Sequence, residues 1–252
     1  MIILKKSSEI AQIKKSGRVV ARVLRSMSEA IVPGKTTTRD LDALAFRLIE
    51  EAGGKPSFLN YRGSYPASIC ASVNDVVIHG IPNDIPLQEG DIVDLDVGVF
   101  LDGWHADSAW TYPVGSISEN AQRLLNVTRE SLYQGIAKAK VGSRVGDISS
   151  AVQKYCESHG YGVVRELVGH GIGRNLHEEP SVPNFGKPGK GPLLKAGTTM
   201  CIEPMVNEGT HRIHTLPDQW TMKTDDGKLS AHFEHTIAIT SSGPEILTTE
   251  ED

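Results

Sequence analysis

From Ser8 onward the apolar residues Ile10, Ile13, Val20, Leu24, Met27 and Ile31 recur at helical spacing, and Pro33 with Gly34 closes the run. This pattern predicts a first amphipathic helix. A second begins near Thr38 with Asp40 in its first turn, turns Leu41, Leu44, Ala45 and Leu48 inward, and stops at Gly53 and Gly54. Strand-like sequence follows. In residues 90–107 the period changes to two, with Asp94 and Asp96 on one face and Val93, Leu95 and Val97 on the other. Asp102 and Gly103 then signal a hairpin. The helical order returns later. Ser116 with Glu119 predicts a capping box, Leu124, Leu125, Leu132 and Ile136 line one face before Val141 and Gly142, and a fourth helix is expected from Asp147 to Gly160.

The two halves align at a fixed shift of 107. Asp40 matches Asp147 and Gly53 matches Gly160 (147 − 40 = 160 − 53 = 107). Downstream, Leu87 and Gly90 match Leu194 and Gly197, which makes Asp96 and Glu203 equivalent (203 − 96 = 107). Between these anchors the segment around His79 resembles the segment around His170 at a shift of 91. The second half therefore carries a 16-residue insertion (107 − 91), and the two histidines are expected to be counterparts. Each half reads helix, helix, strand with His, strand with a carboxylate, then a strand carrying Asp107 or Glu234. Such a duplication predicts an α+β fold in which both halves join their strands into one curved antiparallel sheet. The helices would lie on its outer face and the acidic strands would meet near a pseudo-twofold axis. A single domain over residues 1–252 is expected, with repeats at roughly 7–110 and 116–240.

Composition changes this picture little. The 39% hydrophobic and 23% charged content is that of an ordinary globular chain, and 26 basic against 31 acidic residues recruit neither nucleic acid nor an anionic membrane. Cys70, Cys156 and Cys201 are odd in number and widely spaced, so a disulfide framework or a cysteine-based zinc site is not expected. Residues 1–4 are followed at once by Lys5 and Lys6, too soon for a signal peptide, and no apolar run approaches a membrane span. The expected location is the cytoplasm.

The acids and histidines point to chemistry. Folding back at residues 102–103 sets Asp107 across from Asp96 or one position away, roughly 5 Å apart. Bare carboxylates so placed repel, and Asp is disfavoured in strands, so the arrangement asks for a cation between them or a shared proton, and the further ligands favour the cation. Glu203 stands alone in an apolar strand before Pro204, a residue that suits a sheet margin or bulge, and Glu234 stands in another apolar strand. With His170 the set is four carboxylates and one imidazole. That mixture suits Mn²⁺ or Fe²⁺ and tolerates Co²⁺ and Zn²⁺. Four negative charges call for two divalent ions about 3–4 Å apart with room for a bridging hydroxide. Gly80, Gly169, Gly171 and Gly173 allow close backbone approach around His79 and His170. His177 lies seven residues past His170, outside helix-spaced zinc geometry, and reads as a substrate contact or proton carrier.

On these residues the chain resembles the type I methionine aminopeptidases, in the short form without an N-terminal extension. Asp96, Asp107, His170 between Gly169 and Gly171, Glu203 with Pro204, and Glu234 before His235 and Thr236 fall in that family's metal-ligand order, and the resemblance spans nearly the whole chain. It implies the duplicated pita-bread fold shared with prolidases and creatinase, and removal of N-terminal methionine from nascent proteins. It further implies that Asp96 binds one metal, His170 and Glu203 the other, and that Asp107 and Glu234 bridge both. The metals implied are Co, Mn, Fe, Zn or Ni. A metal-bridging hydroxide would attack the first peptide carbonyl while Glu203 handles its proton, His177 polarises the carbonyl oxygen and His79 binds the scissile nitrogen. Tyr61, Tyr65, Cys70 and Trp220 fall where the family lines its methionine pocket. There are two departures: Leu176 stands before His177 where Phe is common, and Ser64 is an extra residue between Tyr61 and Tyr65. The implied partners are nascent-chain N-termini and, transiently, the ribosome, with the protein a monomer that binds no specific nucleic acid and no membrane. Two other readings compete: a proline-directed peptidase of the same fold, and an inactive relative serving as a binding protein.

Overall fold

The computed structural model describes residues 1–250. The first half contains α1 (Ser7–Glu29), α2 (Thr38–Glu51), β1 (Lys55–Pro56), β2 (Cys70–Val73), β3 (Val76–Ile78), β4 (Ile92–Leu101) and β5 (Trp104–Pro113). The second opens with α3 (Glu119–Ile136), α4 (Val145–Ser158), β6 (Gly162–Val163), β7 (Val168–Gly171), β8 (Glu178–Pro183), β9 (Thr199–Ile202) and β10 (Met205–Asn207). It ends with β11 (Ile213–Thr215), β12 (Met222–Thr224), β13 (Ser230–His232), β14 (His235–Thr240) and β15 (Gly243–Ile246). The fold is mixed α+β, built on antiparallel sheets. Among the described residues no helix is long and apolar enough to cross a membrane.

The repeat is visible in the ladders. α2 and α4 are offset by 107 at both ends (145 − 38 = 158 − 51 = 107), and β4 begins 107 residues before β9 (199 − 92). β4 pairs with β2 and β1 along one edge and β5 along the other. In the second half β9 and β10 together take the place of β4, with β7 and β6 on one edge and β14 and β13 on the other. Glu203 and Pro204 form the break between β9 and β10, since proline cannot donate to a ladder. The two halves meet where β5 runs beside β13 and β14. The seam is an isolated bridge, Trp110 to Phe233, reinforced by side chains that reach the opposite backbone. Thr111 Oγ1 donates to His232 O at 2.8 Å and Thr236 Oγ1 to Asp107 O at 2.7 Å.

Each helix pair covers its own half. Ile13, Val20, Leu24 and Met27 of α1 pack with Leu41, Ala45 and Ile49 of α2 against Val93, Leu95, Val97 and Val99 of β4. Leu124 and Leu132 of α3 and Ile148 and Val152 of α4 cover Met200, Ile202 and Ile237. Each such large side chain contributes about 1.5–3 kcal/mol by leaving water. Local details differ from the sequence expectation. The cap of α3 is Ser118, whose side chain accepts from Ala121 N, and not Ser116, whose backbone N donates to Glu89 Oε1. On α2 it is Ile49, not Leu44 or Leu48, that is fully buried.

Strand pairing also corrects the expected pairing of the histidines. β7 meets β9 at Gly171 and Met200, and Met200 corresponds to Val93 (200 − 107), which pairs with Val73 on β2. The counterpart of His170 is therefore Ser72, one residue before Val73, while His79 lies beyond β3. The similar glycine-flanked segments occupy successive strands of the two hairpins.

Candidate metal centre and its cavity

Asp102 and Gly103 form the hairpin expected of them, both at positive φ (51° and 84°), which joins β4 to β5. The register then places Asp107 opposite Gly98 and Asp96 opposite Ala109. The two aspartates are diagonal neighbours on one face, two positions apart rather than one. Glu203 and Glu234 come from the breaks β9–β10 and β13–β14, and both line the cavity of the site. His170 comes from β7, its Nε2 3.6 Å from Glu203 Oε1 and 3.9 Å from Asp107 Oδ2.

The ligand atoms of Asp96, Asp107 and Glu234 lie within 4.8 Å of one another, as do those of His170, Cys201 and Glu234. Asp96 Oδ1, Asp107 Oδ1, Glu203 Oε1 and Glu234 Oε1 are buried without a hydrogen-bond partner. Burial, then the negative charge of their neighbours, pushes Asp96, Glu203 and Glu234 well above the usual carboxylate range. Burial pushes Asp107 up to about 6. Orphaned acceptor oxygens that repel one another have no protein donor to satisfy them, and cations would. Burial holds His170 down to about 3, so its imidazole is neutral and carries a lone pair for a metal. The donor set of oxygens with one nitrogen fits divalent ions of the first transition row.

One cavity of about 340 Å³ brings together Asp96, Asp107, His170, Glu203 and Glu234 with His79, His177, Tyr61, Tyr65, Cys70 and Trp220. Its apolar wall is Phe58, Tyr65, Cys70 and Leu176, which form one cluster with Ala67 and Ile172, and Trp220 packs against it. Tyr65 and Trp220 meet edge to face at 5.1 Å between ring centroids. Tyr65 is fixed by its hydroxyl, which donates to Ile69 O and Gly80 O, both at 3.0 Å. Cys70 stands opposite Asp96 in the ladder. Tyr61 is placed differently: half-buried at the rim, its hydroxyl lies 2.7 Å from His177 Nδ1. Ser64 follows a turn in which Asn60, Arg62 and Gly63 have positive φ, so the extra residue is absorbed in the rim loop. His79 has φ 58°, a strained value for a residue with a side chain, and burial lowers it to about 4. His177 stacks 4.2 Å from His170, centroid to centroid.

Cys201 and His232 are in this neighbourhood without having been singled out as site residues. Period two gave a signal for both, since each stands two residues before an inward-facing glutamate, Glu203 or Glu234.

Residues 11–241 match Metallopeptidase family M24. A protein of Clostridium perfringens named methionine aminopeptidase is 52% identical over 248 residues, covering 98% of this chain and 99% of its own. The crystal structure of a methionine aminopeptidase from Thermotoga maritima superposes with a TM-score of 0.97 at 47% identity, covering 99% of this chain and all of the other. A prolidase from Pyrococcus furiosus shares the fold at a TM-score of 0.78 and 23% identity, with this chain spanning 66% of it.

Proposed function

The chain belongs to metallopeptidase family M24 and has its pita-bread fold, and from that premise we propose that it removes the N-terminal methionine of nascent proteins and peptides. The observation that carries this reading is the juxtaposition of four carboxylates, each with one buried oxygen that has no hydrogen-bond partner, with an apolar cavity wall of Tyr65, Cys70, Leu176 and Trp220. Relatives bearing that activity in their names, similar to this chain end to end, support it.

Asp96 would hold one divalent ion, His170 and Glu203 a second, with Asp107 and Glu234 shared between them; Co, Mn, Fe, Zn and Ni suit this donor set. Bound ions supply Lewis acidity, lowering the pKa of water and polarising a carbonyl. Glu203, beside both the ions and the reacting bond, would receive the proton of the attacking water and pass it to the leaving nitrogen. His177, oriented by the Tyr61 hydroxyl, donates to the carbonyl oxygen. His79, neutral at physiological pH, donates to the scissile nitrogen. Because the α-amine lies against the carboxylate cluster, the first peptide bond is the one presented for cleavage. The thioether enters the apolar wall, where each sulfur–aromatic contact is worth about 0.3–1.5 kcal/mol. Leu176 keeps that wall apolar, so affinity changes while the substrate class does not. The partners follow from this substrate: nascent chains in the cytoplasm, met transiently at the ribosome by a monomer.

Kinetics on Met-Ala-Ser against Ala-Pro peptides test the reading. Cleavage at methionine is expected, and preferential cleavage before proline would replace it with a prolidase-type activity. Glu203→Gln is expected to abolish turnover, losing at least about 10²–10⁴-fold in kcat. Unchanged turnover would remove Glu203 from the proton path.

A further inference from the structure

Strand register brings one more residue to the reacting bond. Asp107 stands opposite Gly98, and His232 stands opposite Met205. Gly98 and Met205 are equivalent in the duplication (205 − 98 = 107), so His232 is the second-half counterpart of Asp107. Glu234, two residues on, falls at the level of Ala109 instead. The side chain that the duplication aims into the site is thus an acid in one half and an imidazole in the other. His232 is buried and lines the cavity.

Its two nitrogens have different surroundings. Nδ1 lies 3.4 Å from Oδ2 of Asp94, itself buried. Where Asp94 accepts from Nδ1–H of the neutral ring, the lone pair is on Nε2. Nε2 is buried and has no partner in the protein. An unpartnered acceptor on a residue that lines the cavity can be satisfied by an N–H of the cavity's occupant. A peptide bound by its first residue offers two such groups near the cluster, the α-amine and the N–H of the first peptide bond. The α-amine is drawn to the carboxylates and their ions. His232 ends β13, which packs against β3, and β3 leads directly into His79. The two histidines therefore share one wall.

We infer that His232, oriented by Asp94, accepts the N–H of the scissile peptide bond. This rests on the peptidase reading and deepens it. With the hydrogen held by His232, the nitrogen's developing lone pair stays available to the hydrogen bond from His79 and then to the proton carried by Glu203 as the nitrogen becomes tetrahedral. His232 touches substrate, and Asp94 is a positioning residue acting through it.

The test uses the metal-loaded enzyme and two substrates that differ at one atom: Met-Ala-Ser and the ester in which lactate replaces alanine, which lacks the scissile N–H. His232→Asn keeps a side-chain N–H for Asp94 but stops short of the cavity. His232→Gln can place its carbonyl oxygen where Nε2 stood. The expected result is a loss of about tenfold or more in kcat/KM on the amide for His232→Asn, with the ester within about twofold of wild type, and recovery of most of the amide rate in His232→Gln. Misfolding or metal loss would lower both substrates together. Equal losses on amide and ester, or an undiminished amide rate in His232→Asn, overturn the inference. Wild-type protein that cleaves neither substrate overturns the peptidase reading instead.

Discussion

His79 combines a left-handed backbone, a buried ring and a position beside Gly80, where a Cβ would collide with the carbonyl oxygen of Ala71. Strain of this kind costs about 1–3 kcal/mol and is sustained by the surrounding packing, here the bond from the Tyr65 hydroxyl to Gly80 O. Truncation should therefore affect rate and not metal. His79→Ala is expected to lower kcat about 10²-fold or more with unchanged metal content, and wild-type turnover would exclude it from the mechanism. Burial holds the folded His79 at about 4 against an ordinary value of 6.5. Between those values the unfolded chain takes up a proton that the folded chain refuses. The associated stability is complete above pH 6.5 and is lost as pH falls toward 4. His79→Gln should accordingly lose less of its denaturation midpoint than wild type between pH 7 and pH 4.5. Parallel declines would show that His79 contributes nothing to the acid limb.

Among the elements, the turn from β7 to β8 depends on the chain's own beginning. Lys5 Nζ lies 2.5 Å from Glu178 Oε2, with side-chain exposures of 2% and 4%, and Lys5 N donates to Gly197 O at 2.7 Å. Glu178 follows His177, and its other oxygen accepts from Asn175 N. Breaking a buried ion pair leaves a lone charge in low dielectric, so Lys5→Met should cost roughly 3–5 kcal/mol in denaturant unfolding. Adding Glu178→Leu should restore most of it, and a double variant as unstable as the single would refute the pairing argument. Apolar spacing revealed the four helices to within a few residues because their buried stripes are wide. It missed Ser118 as the cap of α3, since Ser116 and Ser118 both precede the apolar run and spacing does not choose between them.

For the whole molecule, the two halves close around charges that repel. Chelation should lower the thermal midpoint together with activity, and Mn²⁺ or Co²⁺ should restore both, because ligands that bind only the folded state stabilise it by mass action. A midpoint indifferent to chelator would show that the carboxylate cluster is held without cations. Metal analysis of anaerobically purified protein should find two ions per chain; one would assign a single site.

The sequence alone determined the duplication, the helix order, the α+β class and the set of polar residues that interrupt apolar strands, because periodicity and a constant shift are properties of the chain itself. Tertiary structure decided which of those residues correspond. Ser72 is the counterpart of His170, and His232 that of Asp107, because correspondence is set by ladder register. Register depends on hydrogen bonds between strands, which the period within any one strand does not reveal.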